Sequence, residues 1–299
     1  MVRFACVTAI IIICVAFTPA FAQVDGCRQL TFDYPAGYPD WSPDGQYIVF
    51  TSEWSDEEEG NLWLIPAAGG ERVQLTYTSG HHGVFSPDGR LVAYDAEQGS
   101  IVRVIPVSGS APIRIVPESI PVEHSANPCW SPDGARIAFR SLEDVYVLEL
   151  ATGEFTAIFH EDGRVPMPIQ WMPTEDSIVV SLIDPESKLA YLWKIPVGEG
   201  EPVQLTHEGR TTQGTVSPDA NYLVYSTTTD GEQYHLWVVP TAGGQPLELT
   251  TGDERYVEPC WSPLGDQLVV RTDRAGTIDL WIMDVDLAMI ERELAALNS

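Results

Sequence analysis

The sequence predicts an all-β protein, a six-bladed β-propeller closed by an N-terminal strand that completes the last blade. Three observations carry that prediction. An aromatic or apolar residue followed by Ser-Pro-Asp-Gly, or a variant of it, occurs six times along the chain. The prolines of these copies, Pro43, Pro87, Pro132, Pro173, Pro218 and Pro263, are 44, 45, 41, 45 and 45 residues apart, a period that belongs to propeller blades of four strands. Finally, a spare strand segment precedes the first copy, and the last copy lacks one.

Residues 1–22 read as a signal peptide. Arg3 supplies a short positive region, Ala9 to Phe17 is almost wholly apolar, and Ala20-Phe21-Ala22 places small residues where a signal peptidase cuts. The apolar run is shorter than the roughly 20 residues of a spanning helix. A mature chain starting at Gln23, periplasmic or secreted, with no membrane insertion after cleavage, is therefore expected.

The propeller is expected over residues 23–286. Each inner strand ends at the aromatic-Ser-Pro unit, and Asp-Gly makes a tight turn, because Gly accepts positive φ and Asp caps nearby backbone. A second strand alternates, as in Tyr47-Ile48-Val49-Phe50 or Tyr222-Leu223-Val224-Tyr225. The third carries Leu62-Trp63-Leu64-Ile65-Pro66, Leu192-Trp193-Lys194-Ile195-Pro196, Leu236-Trp237-Val238-Val239-Pro240 and Leu280-Trp281-Ile282-Met283. Turns such as Gly69-Gly70 and Gly243-Gly244 lead to the fourth, Gln74-Leu75-Thr76, Gln204-Leu205-Thr206 or Glu248-Leu249-Thr250. After Asp284 the pattern turns helical, so residues 287–299 are expected as a short C-terminal helix or tail. Blade six must then borrow Gln29-Leu30-Thr31 from the other terminus, which removes the open edges that invite aggregation.

Charge narrows the partners. The chain carries 43 Asp and Glu against 16 Lys and Arg, a net charge of −27. Nucleic acid and anionic membrane would be repelled, so the charge excludes these partners without naming one; a monomer that binds a protein or a small anionic ligand is expected. Three cysteines remain after the leader: Cys27, Cys129 and Cys260. Cys129 and Cys260 hold the same place in blades three and six, opposite each other across the channel, and a disulfide needs Cα atoms within about 7 Å. Cys27 should lie near the outer edge of blade six, about 14 Å from Cys260. All three are predicted free.

Trp-Ser-Pro-Asp-Gly followed by a strand, then Leu-Trp-x-Ile-Pro, Gly-Gly and Leu-Thr, resembles the TolB-type propeller repeat, which is similar to the propellers of tricorn protease and the prolyl oligopeptidase family. The resemblance covers about residues 27 to 285. It implies the fold and leaves function open: TolB carries an α/β domain before its propeller that is not expected here. Oligopeptidase relatives add a hydrolase domain, and no Gly-x-Ser-x-Gly occurs in this sequence.

Candidate site residues sit on the connections that enter the inner strands. Counting back eight residues from each repeat proline gives Pro35, Ser79, His124, Val165, Arg210 and Arg255, with Arg164 one step away. His124, Arg164, Arg210 and Arg255 thus form an arc over blades three to six that could take a carboxylate or another anion bidentately. Acids beside each arginine, in Glu161-Asp162-Gly163-Arg164, Glu208-Gly209-Arg210 and Asp253-Glu254-Arg255, equally allow local pairing. Eight of the nine tryptophans fit strand positions of the repeat and read as core. Trp54 does not; beside Asp56-Glu57-Glu58-Glu59 it either caps its own blade or offers a ligand platform.

His81-His82, Glu123-His124, His160 and His207 raise the question of a metal. Neighbours on an extended strand point oppositely, so His81 and His82 do not readily share an ion, and His160 and His207 recur in similar His-Glu-(Asp)-Gly-Arg turns. They read as solvated loop histidines, with no metal and no cofactor expected. The expected function is non-enzymatic binding at the channel mouth. The alternative is a carbohydrate-active lyase or hydrolase using His, Arg and carboxylate groups there.

Overall fold

Each copy of the repeat folds into one antiparallel sheet of four strands, and six such sheets form the blades of the propeller. The computed structural model describes residues 26–32, 34–52, 60–97, 101–116, 125–207, 209–211, 213–228 and 231–298. The leader, Trp54 and His124 lie outside them. In blade one the strands run in chain order from the channel outward, Ala36–Trp41, Tyr47–Ser52, Asn61–Pro66 and Val73–Gln74. Blades two to five repeat that order.

Blade six is assembled from both ends of the chain. Its inner strands are Tyr256–Trp261, Gln267–Thr272 and Asp279–Asp284, and Arg28–Gln29 adds the fourth, with Arg28 opposite Ile282 and Gln29 opposite Trp281. Beyond that pairing, Leu30 N–H donates to Leu280 O at 2.8 Å, and Thr31 Oγ1 accepts from Leu280 N–H at 2.9 Å. Leu30 is buried with Ile48, Phe50, Leu280 and Ile282, a cluster shared by blades six and one. The ring is closed by the N-terminal strand that the sequence set aside for it.

The Ser-Pro-Asp-Gly turn explains why the phrase repeats. In blade two, Ser86 Oγ donates to Asp88 Oδ1 at 2.6 Å and accepts from Leu91 N–H at 3.0 Å, while Asp88 Oδ1 also takes Arg90 N–H at 3.1 Å. Gly89 has φ +69, which a β-carbon would strain. These hydrogen bonds hold the Asp88 carboxyl below its ordinary pKa, the one from Ser86 most of all. Serines 42, 131 and 217 make the same bonds. Four of the turns also reach the next blade: Pro43 stands against Gly89, Pro87 against Gly134, Pro218 against Gly265 and Pro263 against Gly45, within van der Waals reach of where a β-carbon would lie. Two turns depart from the pattern. Blade six has Leu264 in place of the Asp, and Ser262 Oγ reaches Asp266 instead. In blade four, Asp176 accepts Trp171 Nε1–H at 3.1 Å.

Blade three differs at its outer edge. Its fourth strand, Phe155–His160, has six residues where the other blades have two. His160, expected in a solvated turn, ends this strand, and both its ring nitrogens are engaged, by Asp144 at 3.0 Å and Asp162 at 2.9 Å. Leu287–Leu297 forms the C-terminal helix, N-capped by Asp286, which accepts Met289 N–H. Its Ile290 and Leu294 are buried against blades five and six. Cys27, Cys129 and Cys260 are all free thiols.

Candidate functional site

The innermost strands surround a channel of about 510 Å³. Toward the turns its wall is apolar, made by Trp41, Phe85, Trp130, Trp171, Val216 and Trp261 with the repeat prolines. The opposite end is polar, because in four blades the inner strand bulges three residues before its aromatic. There Tyr38, His82, Asn127 and Glu258 have φ of +52, +48, +53 and +55, and the strand register slips beside each of them. A bulge re-aims a side chain at the cost of local backbone strain. All four residues line the channel. Blade five has no such slip, and Gln213 lines the channel there.

The second strands brace this ring. Asp95, Arg140 and Arg271 hold equivalent places, opposite His81, Ala126 and Val257 in the registers of blades two, three and six. His82 Nδ1 lies 2.9 Å from Asp95 Oδ1, and the edge of Tyr38 meets the imidazole with ring centroids 4.2 Å apart. Glu258 accepts from Arg271 at 2.9 Å with one oxygen and from Tyr38 N–H at 2.6 Å with the other. Burial works against charging His82, but the charge and hydrogen bond of Asp95, with Glu258 behind it, outweigh burial and raise its pKa. Burial, then the Glu258 charge, pushes the Tyr38 phenol up to about 12.

Two residues further along the inner strand, side chains tie blade to blade. Asp40 accepts Phe85 N–H at 2.8 Å, Gln170 accepts Val216 N–H at 2.8 Å, and Thr215 accepts Trp261 N–H at 3.3 Å. Burial pushes Asp40 up to about 6, against the hydrogen bonds from Phe85 and Cys260. Burial likewise raises both channel thiols, Cys129 to about 12 and Cys260 well above the usual range with Asp40 beside it. Neither is an activated nucleophile.

The arginines singled out in the sequence occupy other places. Arg164 pairs with Glu161 at 3.0 Å. Arg255 lies over the Tyr234 ring, 4.7 Å from its centroid, and its N–H donates to Asp273. Arg210 N–H donates to Thr228 O, and the residue bridges to Ala190. None of the three is among the channel-lining residues. His82, expected as a solvated loop histidine, is instead ion-paired at the mouth. The bulge is the reason: it takes His82 out of the strand's alternation and aims it at the channel. The signal was present as a column of polar residues three positions before the aromatics of blades one, two, three and six, read from Tyr38, His82, Asn127 and Glu258.

A metal could be considered among the described residues only at Glu143, His160 and Asp162, whose ligand atoms lie within 4.8 Å of one another. The hydrogen bond that Asp162 accepts, with Asp144 behind it, raises the His160 pKa, and both ring nitrogens are already engaged by these two carboxylates. His160 is ion-paired at the surface with Asp144 and Asp162. Among the described residues no helix is long and apolar enough to cross a membrane.

The sequence profile of the TolB beta propeller domain matches residues 119–295, more than half of the chain. The chain belongs to that family. An uncharacterized protein of Agrobacterium fabrum, Atu1656, is 32% identical over 139 residues, 42% of this chain; the match spans 44% of that relative, less than half its length. Among solved structures, a protein named as TolB in Agrobacterium tumefaciens superposes with a TM-score of 0.65 at 20% identity, over 85% of this chain and 91% of that one. The oligogalacturonate lyase of Vibrio parahaemolyticus gives 0.60 at 14% identity, over 89% and 96%. Likeness at such identity establishes the shared propeller fold alone.

Proposed function

We propose that this TolB-family propeller is an extracytoplasmic, monomeric binding protein, without catalysis of its own, whose channel mouth receives a segment of a partner protein or a small anionic ligand. One observation carries the reading. Four inner strands accept left-handed backbone at non-glycine residues to aim Tyr38, His82, Asn127 and Glu258 at the mouth, and strain of that kind marks functional positions. An apolar channel wall below a ring of fixed hydrogen-bonding groups suits one anchoring side chain held by specific polar contacts. Arg164, Arg210 and Arg255, with His124 and Trp54, are proposed as further contacts.

Photocrosslinking tests this directly. A crosslinking amino acid placed at Asn127 should trap one partner in extracts of the native envelope, and the same group at exposed Val73 on the outer edge of blade one should not. Equal trapping from both positions would move the contact surface away from the channel. The His82–Asp95 pair favours a second reading, because a carboxylate-oriented imidazole is a general acid–base arrangement and one structural neighbour is an oligogalacturonate lyase. Unsaturated product from oligogalacturonate, lost in His82→Gln, would establish that reading and displace the first.

A further inference from the structure

Blades three and six stand opposite each other, and their second strands carry an arginine at the same place. In blade six, Arg271 faces a carboxylate from its own inner strand, Glu258, at 2.9 Å. In blade three, the position of Glu258 is taken by Asn127, and Arg140 makes no hydrogen bond or ion pair among the described residues; its Nε is buried without a partner. Burial lowers the Arg140 pKa against the pull of Asp95, as expected for a desolvated charge without a direct counterion. Blade three thus repeats the geometry of blade six with the carboxylate left out.

The neighbouring charges do not supply it. Asp95 is bound to His82 Nδ1, and both oxygens of Glu258 are engaged by Arg271 and Tyr38 N–H. Both carboxylates of the cluster are thus engaged by other groups, and Arg140 is left without one of its own. His82 Nε2 has no partner among the described residues, and His82 and Asn127 both line the cavity.

We infer that the sector of the mouth formed by blades two and three is a carboxylate site, in which Arg140, Asn127 and His82 receive a polypeptide carboxylate, either a C-terminus or an acidic side chain. The incoming group takes the role toward Arg140 that Glu258 plays toward Arg271. A guanidinium and an imidazolium with a neutral amide between them bind a planar anion through charge-assisted hydrogen bonds. This inference rests on the channel mouth being the binding surface, and it adds which chemistry the mouth selects.

Titrations of the whole protein, followed by the NMR signals of the His82 imidazole, test it with three probes. N-acetylalanine presents a C-terminal carboxylate, N-acetylaspartate bis-capped as its backbone N-methylamide presents a side-chain one, and N-acetylalanine N-methylamide presents none. At least one of the first two should bind saturably and the third should not; whichever binds identifies the source of the carboxylate. Arg140→Gln should weaken that binding about tenfold or more, the loss of one charged hydrogen bond. Asn127→Glu should abolish it while the protein stays folded, because the blade-six pair has been rebuilt in blade three. Equal response to charged and uncharged probes, or affinity unchanged in Arg140→Gln, would overturn the inference. If the carboxylates fail but crosslinking at Asn127 still traps a protein, the carboxylate site is rejected and the binding mouth stands. If they bind as expected but no protein is trapped, the site stands and its ligand is a small carboxylate.

Discussion

The two ends of the channel are built from the same repeat and treat it in opposite ways. At the turn end, Ser42, Ser86, Ser131 and Ser217 each make the same bond to the aspartate two residues on, all at 2.6 Å. At the mouth, equivalent positions hold Tyr38, His82, Asn127 and Glu258, four chemistries, of which His82 and Glu258 are braced by second-strand partners that also differ. One end is duplicated and the other individual. Stability of the ring therefore rests on features that recur, whereas recognition must rest on what does not.

The largest effect should come from the closure on which both ends depend. Leu30→Ala removes a buried side chain between blades six and one, and should cost about 3 kcal/mol, roughly 6–12 °C in Tm; deleting residues 26–32 should cost more. A thermal melt of either variant matching the parent would show that the ring closes without this strand.

Asp40 lies between the two ends. Its folded pKa, about 6, is above the ordinary carboxylate value. The stability linked to its proton is therefore fully present below pH 4 and is lost as the pH rises through 6. Asp40→Asn keeps an acceptor for Phe85 N–H without that loss. The variant should gain on the parent by about 2 kcal/mol between pH 4 and 8. A Tm difference that stays flat across this range would mean that Asp40 is not held in a desolvated setting.

At the turn end, Gly134→Ala and Ala220→Gly form a matched pair. Both residues occupy the same turn position, with φ of +70 and +63. The first substitution should destabilise by about 1 kcal/mol and the second should be close to neutral or stabilising, since left-handed backbone costs an L-residue roughly 1–2 kcal/mol. Chemical denaturation would decide, and equal losses from both would show that blade five has its own turn.

The smallest effect is expected at the mouth. His82 has a raised folded pKa, so the stability gained from Asp95 is present below the ordinary imidazole pKa and is lost as the pH rises through the raised value. The Tm advantage of the parent over His82→Gln should be a few degrees at pH 6 and should shrink by pH 9. An advantage that grows with pH would reverse the assignment of charge to this pair.

This contrast also explains what could be read from the sequence. The turn end was legible because it repeats: Pro43, Pro87 and Pro132 announce the period, and the spare Gln29-Leu30-Thr31 announces the closure. The mouth was not legible by the same reading, which looked for positive charge on loops and found Arg164, Arg210 and Arg255. Asp95 and Arg271 lie inside strands whose alternation reads as core. Only the strand register shows that Arg271 and Glu258 belong together, and only the bulge shows that His82 leaves the strand's own alternation. The outer strand Phe155–His160 escaped for a related reason, since it carries no Gln-Leu-Thr signature.

Closure by the N-terminal strand also has a kinetic consequence. Gln29 and Asp279, whose side chains bond at 3.0 Å, are 250 residues apart in the chain. During synthesis the first strand is made early and its partner almost last, so blades one to five can form in order while the ring stays open. Until Asp279–Asp284 arrives, Leu30 has only the blade-one half of its pocket and Arg28–Gln29 has no strand to pair with. Such long-range pairing is slow to form, and the half-made propeller presents an unpaired β edge for as long as that wait lasts.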